Sequence, residues 1–168
     1  MMGCDMNFKN ITLEKINFYF LYDGKNLLWK NTTSRRAKKG EIAGTEFANG
    51  YRYIQIEKTH YFAHQLIFFM NNFYVPEMVD HIDGNKKNNK LENLRSASRA
   101  QNAWNSKLRK DNSLKIKGVT FHKQTGKYRA RITCNKKVFS LGLYENPKDA
   151  GTAYSIAALF LFKEFARF

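Results

Sequence analysis

Cysteine is scarce in this chain of 168 residues: Cys4 and Cys134 are the two, and no C-x-x-C pair occurs. A disulfide framework and a cysteine-built zinc knuckle are therefore not written here, and a reducing setting fits. Long apolar runs are missing as well. No stretch approaches the roughly 18 consecutive apolar residues of a membrane span, so no membrane partner is expected. The opening residues Met1 to Asn7 lack the basic-then-apolar layout of a secretory signal, which makes an intracellular, unsecreted protein the expectation. Acids are the third shortage, 14 against 29 Lys and Arg, giving a net charge of +15. Such a surplus points to a polyanionic partner, nucleic acid above all.

What is present is globular in composition, 43% hydrophobic and 15% aromatic, which excludes wholesale disorder and leaves room for one domain or two small ones. Residues 8–30 read as short strands: Phe18, Phe20 and Tyr22 alternate before an Asp23-Gly24 turn, and Leu27, Leu28 and Trp29 follow. The basic run Lys30 to Lys39 is either a solvated loop or a phosphate contact. Tyr51 to Ile56 alternates like a half-buried strand. From Phe62 the apolar residues recur at helical spacing, nearly all round, so a buried helix is predicted, ended by Pro76. His64 within it reads as a hydrogen-bonded core histidine rather than a ligand.

The stretch Val79-Asp80-His81-Ile82-Asp83-Gly84-Asn85 carries the chemistry. An apolar run ends on a carboxylate and an imidazole, an Asp-Gly turn follows, and an asparagine-rich loop leads to Asn93. A helix-like segment with Asn102 comes next. Hydrolysis of a phosphodiester needs an attacking hydroxide, neutralised phosphate charge and help for the leaving oxygen. A neutral imidazole takes a proton from water near pH 7, so His81 is the natural general base, with the amide oxygen of Asn93 able to orient it. A hard divalent ion keeps several waters and needs few oxygen ligands; Asp80 and Asn102 can supply them. Neighbours on a regular strand point to opposite faces, so Asp80 and His81 share a site only if the strand ends or bends there.

These residues, with Asn88-Asn89, Leu91-Glu92-Asn93-Leu94-Arg95, Ser98-Arg99-Ala100-Gln101-Asn102, Ala63-His64-Gln65-Leu66-Ile67 and Asp23-Gly24 with Trp29, resemble the HNH endonucleases of the ββα-metal fold, especially phage and intron-encoded homing enzymes. The resemblance implies His81 as general base, Asn93 as its orienting partner, and Asp80 and Asn102 as ligands of one divalent ion, magnesium or alternatively manganese, without structural zinc. Asn102 stands where many relatives carry histidine, which resembles the HNN branch. Arg95 and Arg99 are either a phosphate clamp or surface and capping residues.

Beyond residue 105 the pattern changes. Residues 105–140 hold eleven Lys or Arg against one acid, Asp111. Gly118 to His122, Lys127 to Cys134 and Lys137 to Leu141 read as three strands, the last ended by Gly142; Asn146 and Pro147 start a helix with an alanine-rich stripe. On the second strand Lys127, Arg129, Arg131 and Thr133 alternate away from Tyr128, Ala130, Ile132 and Cys134. Gly118-Val119, Gly126-Lys127-Tyr128-Arg129-Ala130, Ile132, Leu141-Gly142 and the Ala150/Ala153-Tyr154/Ala157-Ala158 helix resemble the AP-two/ethylene-response-factor DNA-binding domain. Tyr128 departs from the Trp usual there. In that family the sheet enters the major groove, which implies DNA-binding roles for Lys117, Thr120, His122, Lys127, Arg129, Arg131 and Lys137.

The expected architecture is α+β: a ββα-metal nuclease domain over residues 1–105 with an N-terminal β-rich extension, a basic linker at 106–117, and a three-stranded antiparallel sheet packed on one helix at 118–168. The expected activity is metal-dependent cleavage of double-stranded DNA, as a homing endonuclease or nickase, by a monomer or weak dimer in the cytoplasm of a phage-infected bacterium. The competing reading is a non-enzymatic DNA-binding regulator built on an inactive nuclease-like scaffold. RNA binding fits less well, because the aromatic residues of the C-terminal sheet fall mainly on its packed face.

Overall fold

The computed structural model describes residues 11–168. The chain is α+β and forms two compact units, one through Ser98 and one from Arg99 to Phe168.

The first unit opens with a helix, α1 (Leu13–Tyr19), where the alternation of Phe18, Phe20 and Tyr22 predicts a strand. The reason is local. Thr12 caps the helix, its Oγ1 accepting from the Lys15 N–H at 3.2 Å, and Ile16 is buried in the core with Tyr19 packed against it while Phe18 stays exposed. The strand begins one residue later: β1 (Phe20–Tyr22) pairs with β2 (Leu27–Trp29) across the Asp23-Gly24 turn. Residues 8–10 of the expected strand region lie outside the described residues.

A second sheet joins β3 (Thr45–Glu46), β4 (Arg52–Ile56) and β5 (Thr59–Phe62). The β4–β5 turn places Glu57 and Lys58 at φ 46° and 68°. Without Gly or Asn in it, that hairpin carries no sequence signal. Helix α2 (Ala63–Asn72) follows at once, with residues 63 to 68 all buried, as an all-round apolar helix should be. It stops at Asn72, ahead of Pro76. The Asn71 and Asn72 side-chain amides donate to the carbonyls of Ile67 and Phe68, and Phe73 closes the end in the left-handed region at φ 61°. Ile16, Phe20, Leu27, Ile54, Leu66 and Ile67 form the centre of the core. Against it lies the antiparallel pair β6 (Met78–His81) and β7 (Leu94–Ala97), in register Asp80↔Arg95 and His81↔Leu94.

The second unit begins with α3 (Arg99–Trp104), whose Trp104 ring stacks on Phe162 at 4.6 Å and 12°. Its sheet runs in the order β10 (Lys137–Tyr144), β9 (Lys127–Cys134), β8 (Val119–His122), all antiparallel, and packs on α4 (Pro147–Phe162). Asn146 caps α4 as expected, its Oδ1 accepting from the Lys148 N–H at 2.8 Å. Gly142 does not end the third strand. It lies inside β10 at a register shift between Ser140 and Gly142, at φ 116°, and the strand continues to Tyr144.

Gly118 sets the closest approach in this unit. At φ +72° a Cβ there would stand 2.0 Å from the Tyr154 ring and 2.8 Å from the Arg131 carbonyl oxygen. Gly118→Ala should therefore lower the stability of the full chain by about 1–3 kcal/mol through overpacking and backbone strain. Denaturant unfolding measures it; an unchanged midpoint would contradict this packing.

Candidate functional site

The loop from Ile82 to Asn93 joins β6 to β7 and is organised by two side chains. Asn93 accepts from the Asp83 N–H at 3.0 Å and donates to Asp83 Oδ1 at 3.0 Å and to the Asn88 carbonyl at 2.8 Å. Asp83 accepts in addition from the Asn85 N–H at 2.7 Å and the Asn88 amide at 2.8 Å. Burial pushes the Asp83 carboxyl up, but those hydrogen bonds and the nearby His81 outweigh it and hold the carboxyl below its usual range. The Gly84 N–H returns to the His81 carbonyl at 2.8 Å, so the strand stops at His81.

Asp80 and His81 are both buried at that strand end. Asp80 faces its cross-strand partner: Arg95 Nε and Nη2 each approach Asp80 Oδ2 at 2.9 Å. Arg95 is thus held against a carboxylate. His81 Nε2 lies 2.9 Å from Asn89 Oδ1. An amide oxygen only accepts, so Nε2 carries the hydrogen and the ring lone pair resides on Nδ1. The acceptor at His81 is therefore Asn89, where sequence reasoning names Asn93; the Asn93 amide is spent on Asp83 and the Asn88 carbonyl. Asn89 stands beside Asn88 within the asparagine cluster, and that cluster is the signal available in the sequence.

His64 is a core histidine, as its place on an apolar helix predicts. It is the second residue of α2, buried, with its ring centroid 4.8 Å from that of His81 and stacked on Tyr51 at 5.2 Å and 28°. Burial pushes the His81 imidazole down, as does Lys86; Asn89, Asp83 and Asp80 pull it up without cancelling the burial. Burial, then the neighbouring His81 and Lys86, pushes His64 well below the ordinary imidazole range. Both rings are neutral at pH 7.

Asn102 and Arg99 lie on α3, in the second unit. In the sheet of that unit, Thr120 pairs with Arg129, His122 with Lys127 and Ser140 with Arg131, so Thr120, His122, Lys127, Arg129 and Arg131 share one face. Lys127 pairs there with Glu145 at 2.7 Å, and His122 Nδ1 lies 2.9 Å from Thr125 Oγ1. Two expected members of the face are elsewhere. Lys137 pairs with Cys134 and so falls on the opposite side, with Ile132. Lys117 is half-buried ahead of β8, and its ammonium donates to the carbonyls of Trp104, Ser106 and Arg167 at 3.1, 2.8 and 3.0 Å. It is a structural clamp.

Among the described residues no group of three or more His, Cys, Asp and Glu could hold a metal ion. Asp80 brings a buried carboxylate to the strand end, a donor that fits a hard divalent ion retaining its own waters. It does not fit zinc or another ion needing a closed nitrogen and sulfur cage.

The depressed His64 imidazole has a consequence for stability. Between pH 7 and 5 the unfolded chain binds a proton at residue 64 that the folded chain refuses, so stability is present above about pH 6.5 and falls as the pH drops below it. His64→Phe should flatten the dependence of Tm on pH in that window. Parallel Tm curves for the two proteins would show that His64 is not held neutral by burial.

Comparison with known proteins places the segment. The HNH endonuclease family matches residues 61–104, which hold Asp80, His81, Asn93 and Asn102. Protein 3.8 of Escherichia phage T7 is 41% identical over 59 residues, 35% of this chain and 49% of that protein, so the match spans about half the length of this phage relative. The β6–loop–β7 site therefore lies inside the segment that matches the HNH endonuclease family.

Proposed function

We propose that this protein is a divalent-metal-dependent DNA endonuclease, a phage or intron-type homing endonuclease or nickase acting in the infected bacterial cell. The observation that carries the reading is the His81 imidazole, buried at a strand end within the HNH segment and bonded through Nε2 to Asn89. Its Nδ1 takes the proton of a water molecule as the oxygen attacks phosphorus, and the bond to the leaving sugar oxygen breaks. Burial favours the neutral, base-competent imidazole at pH 7. Asn93 keeps the loop that carries His81 in shape. Asp80 and Asn102 would hold a magnesium or manganese ion, which when bound offsets the negative charge developing on the phosphate and leaving oxygen. Arg95 limits the freedom of the Asp80 carboxylate until that ion binds.

The second unit supplies DNA affinity in this reading, in the manner of the AP-two-like domain it resembles. Thr120, His122, Lys127, Arg129 and Arg131 form the contacting face. Thr120 and Arg129 are side by side in the register, and an Arg guanidinium on such a face suits a phosphate or base edge. Lys117 and Lys137 drop out of the face for the reasons above.

Two experiments test these roles. Supercoiled plasmid should be converted to open circles with magnesium and not with EDTA, and His81→Ala should slow conversion by about 100-fold or more with DNA binding retained. Binding without cleavage by the wild-type protein would favour the regulator. For the sheet, Arg129→Ala combined with Arg131→Ala should weaken binding and reduce the slope of log affinity against log salt by about 2. An unchanged slope would remove this face from the DNA-binding surface.

A further inference from the structure

The torsion about a His ring bond has broad wells, which close packing by neighbouring rings narrows. Asn89 meets His81 at Nε2. The His81 ring is also approached by the rings of His64 and Tyr51. His64 approaches His81 at 4.8 Å and 53°; Tyr51, just ahead of β4, stacks on His64 and lies 6.1 Å from His81. Phe62 packs on both Tyr51 and His64, at 5.0 and 5.2 Å. His64 itself is held in the first turn of the most buried helix of its unit. The loop after His81 is tied to the same rings, because the Lys86 ammonium sits 4.3 Å from the Tyr51 ring centroid and donates to the Asn49 carbonyl at 3.2 Å.

We propose that His64 is a positioning residue for His81: backed by Tyr51, its flat ring forms a wall that fixes the plane of the His81 imidazole, acting by shape and neither transferring a proton nor ligating a cation. Within an aromatic cage a ring is retained for its flat face and volume, and a residue of the same outline should serve as well. The inference rests on the reading of His81 as general base, and its test is built to separate the two.

Wild-type protein, His64→Phe, His64→Leu and His64→Ala are compared in single-turnover nicking of supercoiled plasmid at saturating magnesium and fixed pH. The nitrogen-15 imidazole spectrum of His81 is recorded for each. Loss of a fixed geometry should slow the nicking step in His64→Ala and His64→Leu by about tenfold to 100-fold, with the half-saturating plasmid concentration within about twofold of wild type. His64→Phe should stay within about threefold of wild type. The His81 spectrum should show the Nε2–H tautomer in wild type and His64→Phe, and averaged tautomers in the other two. If His64→Ala does not fold, the contrast between Leu, which fills volume without a flat face, and Phe decides. A Phe variant as slow as Ala, or four proteins with equal rates and spectra, overturns the proposal. If the wild type does not nick at all, the endonuclease reading fails, and the His81 spectra alone decide whether His64 fixes that ring.

Discussion

The hydrogen bonding of one amide underlies the arrangement of the site. Asn93 uses its oxygen on the Asp83 N–H and its nitrogen on Asp83 Oδ1 and the Asn88 carbonyl, which closes the loop from Ile82 to Asn93 into a fixed shape. Everything functional hangs from that loop. It sets where β6 stops, hence where His81 stands; it brings Asn89 to His81 Nε2; and it delivers Lys86 to the Tyr51 ring. A loop with this many polar backbone groups would be costly to hold near a core without such side-chain partners. Its richness in asparagine is thus structural before it is chemical.

Burial then tunes what the loop has placed. The two imidazoles are kept neutral because water is excluded from them, while the Asp80 carboxylate is paired with the guanidinium of Arg95. A neutral base next to an anchored carboxylate is the polarity that metal-assisted attack on a phosphodiester requires. Solvent access has been traded for geometry: both Asp80 and His81 are buried.

Much of this was legible in the sequence, and the parts that were not share a cause. The caps and periodicities of the second unit were readable because Asn146, Pro147 and the small residues Ala150 and Ala158 act locally. The shared face of Thr120, Arg129 and Arg131 follows from a strand period that no tertiary contact disturbs. Helix α1 was hidden because a single buried residue, Ile16, decides it against an alternating Phe18 and Phe20. The β4–β5 hairpin was hidden because Glu57 and Lys58 adopt positive φ without glycine. In the site, Asp80 and His81 stood out by type and spacing. Whether Asn89 or Asn93 meets the imidazole depends on how the loop folds back, which composition does not encode. Lys117 read as one more cation in a basic tract, yet three carbonyls converge on it. Apart from the locally capped α1, the deciding contact in each case is long-range or lies in loop geometry.

The central claim is that the His81 imidazole takes the proton from the attacking water. Chemical rescue tests it most directly: His81→Gly is assayed for plasmid nicking with and without free imidazole. The account predicts that added imidazole restores nicking by about tenfold or more over the unrescued variant, in proportion to its unprotonated fraction. A His81→Gly protein that binds DNA but gains nothing from imidazole, or that already nicks at the wild-type rate, would contradict it.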